Sequence, residues 1–196
     1  MQVNVKTNIK EISKNLTRDQ KKQVPFASAM AINNTLFQLR KEMGKQTRKK
    51  LDRPTKFTQN GFVVQKAKKQ NLKGMLFLKD AVEKYLKFQI DGGVRSTGKY
   101  IPVPFKQNAR LNKFGNIVGK RSGLIKKKSQ FIGTVNGLLG VWERQKGNKL
   151  KLIIGFERTV EYKPKLPFYT IAQKFSAAVF DRNFTKAIAR AIKSAR

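Results

Sequence analysis

Forty-four lysines and arginines stand against eleven aspartates and glutamates, giving this chain a formal net charge of +33. Charge of one sign repels itself and opposes compaction, so the working state needs a polyanion or an acidic surface nearby. Nucleic acid is the commonest such partner. The bland counterpart is a solvated basic surface, because charge informs partners rather than fold. A modest core is available: 39% of the 196 residues are hydrophobic, and the aromatics are 14 Phe, 4 Tyr and 1 Trp. Phenylalanine has no polar handle, which directs most of these rings to a core or to subunit contacts.

The chain contains neither Cys nor His. That removes zinc fingers, thiol nucleophiles, disulfides and Ser–His triads together. The eleven acids are dispersed, with no D-x-D or E-x-x-H cluster suited to a metal. Glu157 and Glu161 would share a face only in a helix, and their context reads as strand and turn. The glycines at 92–93 and 137–140 fit neither G-x-G-x-x-G nor the phosphate-loop pattern, so they read as turns and bends. A lysine nucleophile would need an apolar pocket to lower its pKa, which sequence does not display. The reading is therefore no enzyme, no cofactor and no metal. The first six residues, Met1-Gln2-Val3-Asn4-Val5-Lys6, lack the apolar core of a signal peptide, and no run of 18 apolar residues occurs. A soluble protein without a membrane partner is expected.

Periodicity predicts helix in the N-terminal third. Ile9, Ile12 and Leu16 recur at helical spacing, with Thr7 or Asn8 as cap. Thr17 and Gln20 have capping-box spacing for a new start. A second amphipathic pattern carries Phe26, Met30, Leu36, Leu39 and Met43, with Pro25 near its beginning. It ends in a basic tract, Lys41, Lys45, Arg48, Lys49 and Lys50, before Asp52-Arg53-Pro54; cations there suit the helix dipole. Two short strands at 62–66 and 75–78 follow. A helix over 80–90 comes next, with Val82, Leu86 and Ile90 on one face and Gly92 available for its C-cap. Ile101-Pro102-Val103-Pro104 is extended and belongs at an edge or in a loop.

Between 106 and 130 hydrophobics thin out, glycines recur at 115, 119 and 123, and no acid occurs. Loops of this length are usually functional or disordered. The stretch reads as a basic arm within a single domain spanning 1–196, mobile until a polyanion or an acidic neighbouring protein orders it. Its candidate DNA-binding side chains are Lys106, Arg110, Lys113, Lys120, Arg121, Lys126, Lys127 and Lys128. A hairpin of residues 138–145 and 149–156 turns through Lys146-Gly147-Asn148. Trp142 within it reads as a core or contact residue more readily than as a base-stacking platform. Pro164 and Pro167 introduce a last helix over about 168–194. The fold class is α+β: N-terminal helices, a central antiparallel β-sheet with a long basic loop, and a long C-terminal helix. No base-reading motif is present, so the basicity is aimed at a nucleic-acid backbone.

The run Val24-Pro25-Phe26-Ala27-Ser28-Ala29-Met30-Ala31-Ile32-Asn33 resembles the proline-led, alanine-rich helix of the phage minor tail protein Z family, and more loosely of tail-completion proteins. The basic middle, the hairpin and the proline-introduced last helix add an architectural likeness. The arm over 106–130 has no counterpart in that pattern. The resemblance implies a structural virion protein of the tail or neck, without catalytic residues, that joins tail to head. It implies a cyclic homo-oligomer, with six copies by analogy to tail rings. Its neighbours would be tail-tube and connector or neck proteins, and phage DNA would be met through backbone contacts. Its location would be the virion, and the host cytoplasm during assembly. A reading from another class is a sequence-nonspecific nucleic-acid-binding protein of ribosomal or nucleoid type.

Overall fold

The computed structural model describes Lys14 and residues 17–105, 107–118 and 123–194. The helix expected around Ile9, Ile12 and Leu16 lies outside the described residues. The chain is α+β, with antiparallel sheets and long helices, and its packing makes two compact units where the sequence suggests one domain. A helical unit combines residues 1–90 with 165–196, and a sheet unit comprises 91–164.

In the helical unit, α1 (Arg18–Lys22) starts from a full capping box. Thr17 Oγ1 accepts from Gln20 N–H at 3.4 Å, and Gln20 Oε1 accepts from Thr17 N–H at 3.0 Å. α2 (Val24–Lys50) carries Pro25 in its first turn, where a missing N–H costs nothing. It ends at Leu51, which is extended. α5 (Phe168–Ser194) runs antiparallel to α2, as two buried clusters require. Ala27 and Ala31 meet Phe184, Ala187, Ile188 and Ala191 at one end, small against large. Leu36, Leu39 and Met43 share the other end with Phe168 and Ala172. Between them Asn183 donates to Thr35 Oγ1 at 2.9 Å, and Gln38 donates to Asn183 Oδ1 at 3.3 Å. These bonds satisfy Thr35, Gln38 and Asn183, whereas the buried hydroxyls of Ser28 on α2 and Ser176 on α5 have no partner among the described residues.

Against this pair lie α3 (Lys56–Gln59), the antiparallel strands β1 (Phe62–Gln65) and β2 (Met75–Leu78), and α4 (Asp80–Ile90). Val82, Leu86 and Ile90 of α4 are buried, as their spacing predicts. Phe62 stacks on Phe168 with ring centroids 6.1 Å apart. Asn33, last residue of the run that carries the family resemblance, holds the chain after β1 like a strand partner. Its Nδ2 donates to Ala67 O at 3.0 Å, and its Oδ1 accepts from Ala67 N–H at 2.8 Å. Asn33→Leu orphans both backbone groups and is expected to cost about 1–3 kcal/mol. The change should appear as a lower urea midpoint with an unchanged m value.

The sheet unit is four antiparallel strands in the order β3-β6-β5-β4. They are β3 (Gly93–Pro104), β4 (Gln130–Val135), β5 (Leu138–Arg144) and β6 (Leu150–Tyr162). The β5–β6 hairpin turns at 146–148, as expected. Ile101–Pro104 forms part of the edge strand β3, which is where two prolines are tolerated. Two strand segments are additional to those expected from the sequence. Residues 93–100 are strand although most are exposed on both faces. β4 pairs with β5 through Asn136-Gly137, whose φ values of 50° and 78° are those of a tight primed turn.

Glycines line up across this sheet: Gly133 faces Gly140, and Gly140 faces Gly155. Trp142 is buried, and its Nε1–H donates to Gly133 O at 3.1 Å, so the indole serves the core rather than a nucleobase.

Candidate nucleic-acid interface

Of the expected arm, Lys106, Lys120 and Arg121 lie outside the described residues. The described remainder is laid along the sheet, held by backbone and side-chain hydrogen bonds and by apolar contacts. Phe105 N–H donates to Ile153 O at 3.0 Å, and Asn108 Nδ2 donates to Leu152 O at 2.7 Å. Asn112 Oδ1 accepts from Phe114 and Asn116 N–H, closing a polar turn beside the Leu111–Ile117 bridge. Ala109, Ile117 and Leu124 pack on buried Val141, Ile153 and Ile154. Three spaced apolar anchors are easily passed over in a run of lysines, yet they offset part of the ordering entropy.

The structure brings together three of the predicted cations. Arg110, Lys126 and Lys127 line one cavity of about 570 Å³, and that cavity also holds Glu143. Lys113 and Lys128 are exposed and do not line it. Lys127 Nζ sits 2.7 Å from Glu143 Oε1, and Gln130 Nε2 donates to Oε2 at 3.3 Å. Those hydrogen bonds, the Lys127 bond first, lower the Glu143 pKa below its ordinary value. A lowered folded pKa contributes stability above the ordinary carboxylate range and loses it as pH falls through the folded value. Carboxyl NMR should therefore find Glu143 titrating below a free glutamate, and Lys127→Gln should move it back up. Lys127 is thus partly neutralised within the chain.

A second basic surface lies in the helical unit. A groove of about 620 Å³ is lined by Arg40, Lys41, Lys45 and Arg48 of α2 and by Lys79, which follows β2. All five side chains belong to exposed residues. No carboxylate among the described residues lines the groove. Gly44 sits in the middle of the α2 stripe, where a Cβ would come within 3.2 Å of Gln59 O. Val63 and Val64 add an apolar part, and Phe62, the aromatic lining residue, is only 3% exposed. Gln59 Nε2 is committed to Pro54 O at 2.8 Å. The groove therefore presents charge without an open stacking ring.

From sequence, Lys41, Lys45 and Arg48 read only as a dipole-matched tract, and Arg40 and Lys79 do not stand out. The α2 stripe is visible as Arg40-Lys41, Lys45 and Arg48 at helical spacing; Lys79 becomes a neighbour only through the fold. Among the described residues no group of three or more acidic side chains stands close enough to hold a metal ion. No described helix is long and apolar enough to cross a membrane. Comparison of the chain with protein-family models, with curated proteins and with solved structures found no match.

Proposed function

We propose that this chain is a non-catalytic structural protein of a phage particle, a minor tail or tail-completion protein at the tail or neck. It joins tail to head as a cyclic homo-oligomer beside tail-tube and connector proteins, and it borders the passage of DNA. One observation carries the reading. The proline-led helix that resembles minor tail protein Z and the proline-introduced last helix are packed together as the long α2–α5 pair of one unit. The strongly basic surfaces without base-reading motifs support it, since phosphate contacts position a protein without reading sequence.

Mass spectrometry of gradient-purified particles is the direct test. The protein is expected at low copy, and labelled antibody is expected at the neck or upper tail. Repeated failure to detect it in intact particles would end this reading. The groove on α2 equally favours a nucleoid- or ribosome-type binder, and recovery with those host fractions instead of particles would select that alternative.

A further inference from the structure

We propose that the α2 groove of the helical unit is a binding track for the phosphodiester backbone of duplex DNA. It rests on the functional reading above only for the identity of the polymer. The arm of the sheet unit is then the lesser DNA-binding surface.

The simplest competing account is that cations gather near the end of α2 to match its dipole. That account covers Arg48, Lys49 and Lys50, which lie in the last turn. It fails for Arg40 and Lys41, because the dipole effect fades within one turn of the terminus. It has no place for Lys79, which reaches the same groove from beyond β2. A merely solvated helix face is the other competitor, and such faces mix both signs. The nearby acid, Glu42, is turned to its own helix: it accepts from Gln46 at 2.7 Å and lies 3.9 Å from Lys45.

The dimensions suit a polymer of phosphates. From Arg40 to Arg48 the helix rises about 12 Å at 1.5 Å per residue, long enough to meet more than one phosphate of a strand. Gly44 lets the carbonyl of Gln59 come close to α2, which sets one wall of the groove beside the stripe. Arg40 is partly positioned beforehand, its guanidinium carbon 5.5 Å from the centre of the Phe37 ring. Two arginines in the set add the planar fork that pairs bidentately with phosphate oxygens. Single-strand binders add aromatic platforms for unstacked bases. Phe62 is too buried to act as one, which favours the duplex.

The test uses the full chain and a fluorescent duplex of mixed sequence, with affinity measured across a salt series. Three variants are compared: a groove variant with Arg40, Lys41, Lys45, Arg48 and Lys79 changed to Gln; an α5 variant with Lys174, Arg182, Lys186, Arg190 and Lys193 changed to Gln; and an arm variant with Arg110, Lys113, Lys126, Lys127 and Lys128 changed to Gln. Each removes five charges, and the α5 positions are exposed residues outside the groove. Circular dichroism and thermal melting confirm folding first. The groove variant should flatten the log–log salt slope by about 3–5 units, at roughly 0.9 for each phosphate no longer neutralised. The α5 variant should flatten it less than half as much, and sequence changes in the duplex should matter little.

Equal flattening in the groove and α5 variants would overturn the proposal, because charge alone would then explain binding. A slope change confined to the arm variant would overturn it as well. If the native chain binds no duplex although particles contain it, the groove proposal fails and the virion reading stands. If particles lack the protein but the groove variant still flattens the slope, the virion reading fails and the groove stands as a DNA site. Displacement of the duplex by polyglutamate at equal charge concentration would transfer the groove to an acidic protein surface.

Discussion

Phe184→Ala is expected to destabilise the helical unit by about 3–5 kcal/mol, the range for emptying a buried aromatic site. Phe184 is fully buried, stacks on Phe180 with centroids 6.2 Å apart, and closes the α2–α5 crossing beside Ala27 and Ala31. Those alanines cannot lengthen to fill the space, and the helices are tied by the Asn183–Thr35 bond, so collapse of the cavity is limited. Far-ultraviolet circular dichroism against urea should record the destabilisation as a lowered midpoint. Phe26→Ala is the contrast: its ring is 45% exposed, and the isolated chain should change by about 0.5 kcal/mol or less. Equal effects at the two positions would mean that the helix pairing is not as described.

Gly140→Val should break the sheet unit. A Cβ at Gly140 overlaps the carbonyl oxygen of Ile154 and comes within 2.8 Å of Leu152 Cδ1. The first obstacle is backbone, held in the β5–β6 ladder at the point where its register shifts between Val141 and Trp142. Overpacking of this kind costs about 1–3 kcal/mol and sometimes more. Among the described residues the buried cluster here is small, Val141, Ile153 and Ile154 with a few half-buried neighbours, so that cost weighs heavily. Amide NMR should lose dispersion over 91–164 while signals of 18–90 and 168–194 persist. Gly137→Ala meets no neighbouring atom and should cost only the strain of φ near 78°, about 1–2 kcal/mol.

Elements whose burial follows a simple period are legible in the sequence. Val82, Leu86 and Ile90 announce α4, and the apolar positions between Phe168 and Ser194 announce α5. The β5–β6 hairpin shows itself through Gly147 and Asn148. β4 escapes a sequence reading despite a strong local signal, the Asn136-Gly137 turn, because its short apolar run Phe131-Ile132 follows directly on a stretch dominated by lysines. The first half of β3 offers little to read, since Arg95, Ser96, Thr97 and Lys99 alternate no hydrophobics. The division into units is also out of reach, because Gln38 and Asn183 lie 145 residues apart and sequence does not display their hydrogen bond. Of the candidate site, the cations are visible one by one; what brings Lys79 into the groove with Arg48 is tertiary.

The helical unit is built from two separated stretches of chain, and this imposes an order on its birth. Lys165 and Leu166 N–H both donate to Gln89 O, at 2.7 and 2.8 Å, so the returning chain is pinned where the outgoing one left. During vectorial synthesis α2 emerges early, yet its partner α5 is made after all of 91–164. At 5–20 residues per second, that delay lasts roughly 4–15 s. Throughout it, Leu36, Leu39 and Met43 lack Phe168 and Ala172, while the contiguous sheet unit has everything it needs to close. Of the two long helices, α2 is therefore made first and completed last, and the part of its apolar face that meets α5 stays uncovered in the interval.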